Sequence, residues 1–315
     1  MPSERFIADG IADVSAIVPA WRAETTIGRA LASIAAQTVP LREVIVVDDG
    51  SDDGTVAAAE AAGRALSRSR FMLLRVPHGG AGAARNAALK AARGTLVAFL
   101  DADDEWRPTK IERSLVHMDA DDLVLVSHDY SLVAPGGETY GNCTRHYRAA
   151  RDPAVALFRR NFIATSTVVA RHAALRAAGG FDPGLPAAQD YDLWLALVLG
   201  PGARFRVFGE DLARCHVTPA SITSRTEERR RCSMAVLERH APRLRARASG
   251  AEASVLMRAA VIHYEAIRGF LDRRMPFSAA GAALGLPAAF IRALRSARRS
   301  VAPRADFLAV ETPPR

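Results

Sequence analysis

The chain is poor in what builds a covalent or metal framework. It has three cysteines, Cys143, Cys215 and Cys232. An odd count with no C-x-x-C pair excludes a disulfide scaffold and a zinc knuckle, and fits a reducing compartment. It has no run of about eighteen uncharged apolar residues, so no membrane span is expected. The nearest approach, "FSAAGAALGLPAAFIRAL", is broken by Gly, Pro and Arg292 and reads instead as a surface-lying helix. The opening "MPSERFIADGIADVSAIVPA" lacks a basic flank followed by an apolar stretch, so no signal peptide is expected. Aromatics are only 6% and no internal repeat is found; frequent Ala and Arg point to coding bias more than to function.

What remains is an ordinary globular mixture, 49% hydrophobic and 24% charged over 315 residues, enough for one large domain or a domain with an appendage. The net charge is +8, and the excess is uneven: Arg crowds 225–247 and returns over 292–304. Such a tail suits an anionic surface or a phosphorylated substrate, although a solvated helix face explains any single cluster.

The first third alternates strand and helix. "VSAIVPA" is a β-branched run ending in Pro19 and Ala20, followed by Trp21. "TTIGRALASIAAQ" sets Ile27, Leu31 and Ile34 at helical spacing. "EVIVVDDGSDDGT" predicts a strand stopping at Asp48 and an Asp-Gly turn. An Ala-rich helix, the strand "RFMLLRVP", the helix "GAARNAALKAA" and the strand "TLVAFLDADD" follow. This alternation predicts an α/β, Rossmann-like, mostly parallel sheet flanked by helices. Ligands of such sheets bind beyond the carboxyl ends of the strands, where Asp48, Asp49, Asp101 and Asp103 fall. Beyond Asp121 the pattern loosens into "DLVLVSHDYSLV", "STVVAR", "RHAALRAAG", "QDYDLWLALVLG" and "ARFRVFGEDLARCHV". From Thr226 the chain reads as helical, with Met234, Leu237, Ala241 and Leu244 on one side. The organisation expected is a domain over 1–225, with 1–13 as leader, then a helical extension over 226–315 whose last dozen residues are disordered.

Two carboxylates separated by one residue, Asp101 and Asp103 flanking Ala102, point the same way in an extended chain. They suit a divalent cation shared with substrate phosphates; the plain alternative is an acidic turn capping the helix that begins near Pro108. Asp52 and Asp53 read as turn and N-cap residues, whereas Asp48 and Asp49 precede the turn and suit the imide N–H of a uracil. Gly79, Gly80 and Gly82 lie between strand and helix where backbone N–H groups meet phosphate, but no Lys-Ser/Thr follows and Arg85 stands where a dinucleotide fingerprint has its third glycine. Trp21 suits stacking on a base. Trp194 reads as core and Asp182 as a turn residue, and either Asp190 or Asp192 suits an N-cap.

Taken in order, "IVPAWRAETTIGRALASIAAQT", "EVIVVDDGSDDGT", "GAARNAALKAARGTLVAFLDADDEW", "GGFDPGLPAAQDYDLWL" and "RCHVTPASIT" resemble glycosyltransferase family 2, from about Val14 to Ser224. The resemblance implies a GT-A fold and an inverting, metal-dependent hexosyltransferase. It would move one sugar from a nucleotide-diphosphate donor, a UDP-sugar by preference, to a glycan, lipid-linked or protein acceptor in cell-surface polysaccharide synthesis. It implies that Pro19, Ala20, Trp21, Asp48, Asp49 and Arg85 surround the base. Asp101, with Ala102, meets the ribose. Asp103 and His216 hold Mg2+ or Mn2+ at the diphosphate, His216 on a loop that closes over the donor, and Asp190 is the general base, ionised at its ordinary pKa.

Departures from the family pattern are Gln189, where Glu often precedes the base, Arg22, where Asn is frequent, and the lack of the Q-x-x-R-W string of polymerising members. That lack, together with the lack of membrane spans, argues for single-sugar transfer in the cytoplasm. The charge of the basic tail separately suggests peripheral contact with the membrane's inner face, where lipid-diphosphate acceptors lie, and no nucleic-acid partner is expected. The competing readings are a nucleotidyltransferase on a related sheet and a catalytically silent sugar-nucleotide-binding module.

Overall fold

The computed structural model describes residues 4–217 and 225–309. Strands are β1 (Ile7–Ala8), β2 (Ile11–Ala20), β3 (Leu41–Asp48), β4 (Arg70–Arg75), β5 (Leu96–Phe99), β6 (Glu105–Trp106), β7 (Leu123–Ala134), β8 (Gly137–Gly141), β9 (Val169–Arg171) and β10 (Arg204–His216). Between them run α1 (Ile27–Ala35), α2 (Thr55–Gly63), α3 (Gly80–Ala91), α4 (Lys110–His117), α5 (Cys143–Arg148), α6 (Pro153–Arg159), α7 (His172–Ala177) and α8 (Gln189–Val198). After the sheet come α9 (Thr226–Arg247), α10 (Ala251–Asp272), α11 (Pro276–Leu284) and α12 (Leu286–Ala297).

The sheet runs β4-β3-β2-β5-β9-β7-β10-β6, with β1 beside β2 and β8 beside β7. The four strands of the first third pair in parallel, as their helical crossovers require. The order reverses between β2 and β5, so the crevice expected to take a ligand opens between Ala20 and Leu100. The second half is mixed: β9 lies antiparallel between β5 and β7, and β6 is antiparallel to β10. Val14 to Val18, Val44 to Val47 and Leu96 to Leu100 are buried, which explains why these strands read as near-continuous apolar runs.

The sheet has helices on both faces. Ile27, Leu31 and Ile34 bring α1 onto one face, and Ala84, Ala88 and Leu89 bring α3 onto the other. That second face is continuous with α8, where Trp194 meets Phe99 and Phe181 edge-on at 5.6 and 6.1 Å between centroids. It also takes in Leu237, Ala241 and Leu244 of α9, Val255 and Ala259 of α10, and Ala289 and Ala293 of α12. The C-terminal helices thus share the sheet's core.

Residues 304–309 depart from expectation, because they are docked. Arg304 donates to Gly180 O at 2.6 Å and to Ala178 O, and its guanidinium reaches Asp192 at 2.6 Å. The Phe307 N–H donates to Gly179 O at 2.9 Å. Gly179 and Gly180 have φ of +79° and +74°, and a Cβ on Gly179 would lie 2.4 Å from Ala305 O, so glycine is needed both for the helix stop and for the strap. Residues 310–315 lie outside the described residues, as do 218–224, which include most of the expected closing loop.

Candidate active site

Three groups of side chains collect at the carboxyl ends of β2, β3 and β5. The first is built on Pro19, Ala20 and Trp21. The Asp49 N–H donates to Ala20 O at 2.8 Å, which ties the two strand ends together. Asp48 is buried and accepts the Ser51 N–H at 3.2 Å across a turn that Gly50 completes at φ +73°. Asp49 is buried too, and its two oxygens accept the N–H groups of Gly79 and Gly80 at 2.8 and 2.9 Å. The same carboxylate lies 2.9 Å from His78 Nδ1. His78 stacks on Trp21, centroids 4.9 Å apart, the Arg22 guanidinium lies over the same indole at 5.0 Å, and Trp21 stays 45% exposed, so the group stands at the lip. His78 had no role in the sequence reading, although its place between strand end and glycine loop was a signal. Asp53 accepts the Thr55 N–H at the entry to α2, but the N-cap is Gly54 and Asp52 pairs with Arg22 instead, so neither aspartate holds the N-cap place expected.

The second group is the acidic turn. β5 ends at Phe99, so Asp101 and Asp103 are not in extended chain as expected; they belong to a turn closed by the Asp104 N–H on Asp101 O at 3.0 Å. Nor does the turn cap the following helix, because α4 starts only at Lys110, after Thr109. The chain instead enters β6, which pairs with β10 through Trp106 opposite Ala213 and Glu105 opposite Arg214. This pairing brings His216, the last residue of β10, to the turn. Its N–H donates to Asp104 Oδ1 at 2.9 Å, and its Nε2 meets Glu105 Oε1 at 3.1 Å. Asp104 also accepts the Ser166 hydroxyl at 2.5 Å. Burial, reinforced by the charges of Asp101 and Asp103, pushes the Asp104 carboxyl up to about 7.

Arg85 and Asp190 form the third group. The Arg85 guanidinium is buried, contacts Asp101 Oδ1 at 2.5 Å and lies 5.4 Å from the centre of the Phe181 ring. Its Nε and Nη1 find no partner among the described residues. Asp190 sits in the first turn of α8, one residue past its start, so neither it nor Asp192 is the N-cap; that place is held by Ala188 at φ +60°. Asp190 accepts the Thr165 hydroxyl at 3.1 Å and the Tyr191 N–H at 2.7 Å. Its carboxyl is not at its ordinary value. Burial raises it, opposed by the Arg85 charge and these two hydrogen bonds and assisted by Asp101.

The helix carrying Asp190 is fixed from below. Tyr191 bonds Phe158 O through its hydroxyl at 2.5 Å. Asp192 is fully buried and takes Arg239 at 2.9 Å, His240 Nε2 at 2.8 Å and Arg304 at 2.6 Å. Hydrogen bonds and cations hold the Asp192 carboxyl well below the usual range despite burial, while burial keeps His240 neutral, donating through Nε2. Asp182 does close a turn, on the Gly184 N–H at 2.8 Å, and also holds Arg239 at 2.6 Å. Trp194 is buried in the core. Burial pushes the Cys143 thiol up to about 12, and burial together with the neighbouring Asp104 raises Cys215 well above its ordinary value, so both stay protonated thiols.

The expected residues therefore fall into neighbouring but distinct places. Arg85 pairs with Asp101, and the charges of both act on Asp190; Asp103 lies in the acidic turn that His216 meets from the end of β10, and Trp21, Asp48 and Asp49 form the lip. Sequence reasoning did not single out His78, Asp104, Glu105, Thr165 or Ser166 as site residues. Thr165 and Ser166 come from a 3-10 turn preceding β9 that reads in sequence as plain strand. A cavity of about 260 Å³ lies off these acids, lined by Asp129, Tyr140, Asn142, Thr144, Arg145, Arg148 and Gly209. Asp129 there accepts the Tyr140 hydroxyl at 2.6 Å and the Thr144 N–H at 2.7 Å.

A sheet with its crevice at the strand-order reversal, edged by an aromatic lip and an acidic turn, is the frame of a nucleotide-sugar transferase of the GT-A class. Solved structures share it. The chain aligns over 90% of its length with 89% of the S. aureus TarS 1–349 chain in complex with UDP-GlcNAc, at TM-score 0.63 and 19% identity. It also aligns over 90% with 86% of the mannosyltransferase PcManGT from Pyrobaculum calidifontis, in complex with GDP-Man and Mn2+, at TM-score 0.59 and 18% identity. Residues 15–178 match the family model described as glycosyl transferase family 2, and the chain belongs to that family.

Among curated proteins it is 37% identical over 124 residues to the putative teichuronic acid biosynthesis glycosyltransferase TuaG of Bacillus subtilis, covering 39% of this chain and 49% of that protein. Over 121 residues it is 36% identical to the UDP-Glc:alpha-D-GlcNAc-diphosphoundecaprenol beta-1,3-glucosyltransferase WfgD of Escherichia coli, covering 38% and 46%. The match spans about half the length of these relatives.

Proposed function

We propose that the protein transfers a single hexose from a nucleoside diphosphate sugar, a UDP-sugar by preference, with inversion, to a lipid-linked or other glycan acceptor during cell-surface polysaccharide synthesis. The observation that carries this reading is buried Arg85, which pairs with Asp101 of the acidic turn and whose charge also acts on buried Asp190 in the first turn of α8. In this reading Asp101 is the donor-side carboxylate and Asp190 the acceptor-side one, both under the influence of that cation. The names of the curated relatives, polysaccharide and diphosphoundecaprenol glycosyltransferases, support the acceptor class.

In this reading Trp21, 45% exposed and packed by His78 and Arg22, offers its exposed indole surface to the base, with Asp48, Asp49, Pro19 and Ala20 shaping the floor. Asp101 and Ala102 face the ribose. The acidic turn suits a divalent cation by the chemistry of its donors: Asp101, Asp103 and Asp104 stand together there with His216 beside them, and the charges of Asp101 and Asp103 add to the burial that raises the proton affinity of Asp104. Asp103 and His216 would hold it, with phosphate oxygens completing the shell, since such cations are typically bound by one or two carboxylates plus substrate phosphates. When bound it neutralises the charge of the departing diphosphate. The GDP-Man and Mn2+ complex of PcManGT supports that choice of cofactor.

Asp190 takes the proton of the acceptor hydroxyl as that oxygen attacks the anomeric carbon opposite the leaving diphosphate. Its raised pKa makes it a better base than an exposed aspartate, and Thr165, Tyr191 N–H and Arg85 keep the ionised form accessible. Arg85 would stabilise the negative side of both carboxylates without touching the reacting carbon. The place of work proposed is the cytoplasmic side of the membrane. Among the described residues no single helix is long and apolar enough to cross a membrane.

The deciding experiment is titration of UDP with and without Mn2+, followed by a UDP-sugar turnover assay on wild type and Asp190→Asn. Cation-dependent UDP binding in both, with turnover in wild type alone, is the expected pattern. Binding with no turnover in either would reduce the protein to a sugar-nucleotide-binding module.

A further inference from the structure

Seven consecutive residues, Leu271 to Phe277, are all exposed where α10 turns into α11. Among them are Leu271, Met275 and Phe277, and Phe277 is 92% exposed. Leu284, 82% exposed, lies seven residues on from Phe277 and Gly281 four, so the three share one helix face. A Cβ added at Gly281 would meet nothing within 4 Å, so that face is open. Exposed on α12 are Ile291, Arg292 and Arg295, followed just past its end by Arg298 and Arg299, while Ala289, Ala293 and Ala297 are buried against the protein. Between Phe270 and Ser300 the chain carries six arginines and one aspartate, Asp272.

Large apolar side chains standing in water, ringed by cations and on a surface formed by two consecutive helices, suit one kind of partner. We propose that the α10–α11 corner and the outer faces of α11 and α12 dock on an anionic lipid bilayer. Met275, Phe277 and Leu284 enter the acyl boundary, while Arg273, Arg274 and the α12 arginines meet lipid phosphates. Taken together, α11 and α12 have the length and apolarity of a membrane span, but they are bent by 42° and the inner face of α12 is committed to the protein core. That geometry favours lying in the interface over crossing it. The proposal stands apart from the sugar-transfer reading, since none of these residues touches the acidic turn or Asp190.

Vesicle flotation tests it, using the full chain with phosphatidylcholine vesicles and with vesicles containing phosphatidylglycerol. Wild type should float with the anionic vesicles and not the neutral ones, and should be released by high salt. Phe277→Ser with Leu284→Ser should weaken partition at least about tenfold. Each arginine replaced by glutamine among Arg295, Arg298 and Arg299 should cost roughly fivefold.

UDP titration on the same variants, expected to match wild type, shows that they are folded. If wild type binds lipid but not UDP, the transfer reading fails and this one stands. Failure of wild type to float overturns the proposal. So does lipid association that survives both high salt and alkaline extraction, which would mean a span. A third overturning result is a wild-type dimer that the Phe277/Leu284 variant makes monomeric with no flotation in either, which would mean that a second copy covers this face.

Discussion

Two acidic turns follow two parallel strands of one sheet, and they differ in how their charge is met. In the turn after β3, the chain answers each carboxylate. Asp49 takes two glycine N–H groups, Asp48 takes Ser51, Asp52 takes Arg22 and Asp53 takes Thr55. In the turn after β5, Asp101, Asp103 and Asp104 crowd together over buried ground, and Asp104 is driven up to about 7. Similar composition at equivalent strand ends thus gives carboxylates bound mainly to nearby N–H and hydroxyl groups in one place and, in the other, carboxylates close enough to act on one another even though Arg85, Ser166 and the His216 N–H also meet them. A run of aspartates says little until one knows where the N–H donors are; donors in the first turn come from a glycine loop thirty residues away.

Substitutions can widen or erase that contrast. The largest effect is expected beyond the second turn: Asp190→Asn should lower sugar transfer by about 10²–10⁴-fold while leaving UDP affinity close to wild type. Transfer at the normal rate would remove Asp190 from the base role. Asp103→Asn should cost about 10²–10³ in kcat and raise the Mn2+ concentration needed for half-maximal UDP binding. Its counterpart in the first turn, Asp49→Asn, should instead lower stability by about 1–3 kcal/mol, because the amide oxygen can accept only one of the Gly79 and Gly80 N–H groups and the NH2 faces the other, read in a thermal melt. If both variants shift the cation requirement equally, the two turns are not different in kind.

Next in size is Arg304→Ala, which removes one of three partners from buried Asp192 and should cost about 1–3 kcal/mol. The Asp192 carboxyl is depressed in the folded state, so its stabilisation is present above about pH 4, the unfolded value, and is lost as pH falls. The variant should accordingly differ most from wild type near neutrality and converge with it in acid. Smallest is Thr165→Val. Losing a hydrogen bond that favours ionised Asp190 should move the acidic limb of kcat/KM to higher pH, with the plateau little changed. An unmoved limb would mean that another group sets it.

The first half of the fold was legible because burial on both faces leaves an unmistakable mark: apolar strands ending at Ala20, Asp48 and Phe99, and helices whose Ile27, Leu31 and Ile34 keep one face. The place of the crevice followed from the same pattern. Illegible were contacts that depend on distant segments meeting. Nothing local says that Thr165 reaches Asp190, that Ser166 reaches Asp104, or that β6 carries Glu105 to His216. The pKa of Asp190 was taken as ordinary for the same reason, since the burial that raises it comes from elements remote in sequence. The Pro- and Arg-containing tail looked unstructured because composition cannot reveal that Arg304 has a buried carboxylate waiting 112 positions earlier.

The strap and the shared core bear on where this polypeptide can be divided. A fragment cut at Arg225 would strip α9, α10 and α12 from a face that includes Tyr191, Leu195 and Leu197, laying aliphatic surface open to solvent and stranding the Asp192 charge. Such a fragment should clump during purification even though every acid at the crevice is still encoded. Trimming only as far as Arg304 would spare the helices yet unlatch the Gly179–Gly180 bend. Affinity tags are therefore better carried at the other terminus.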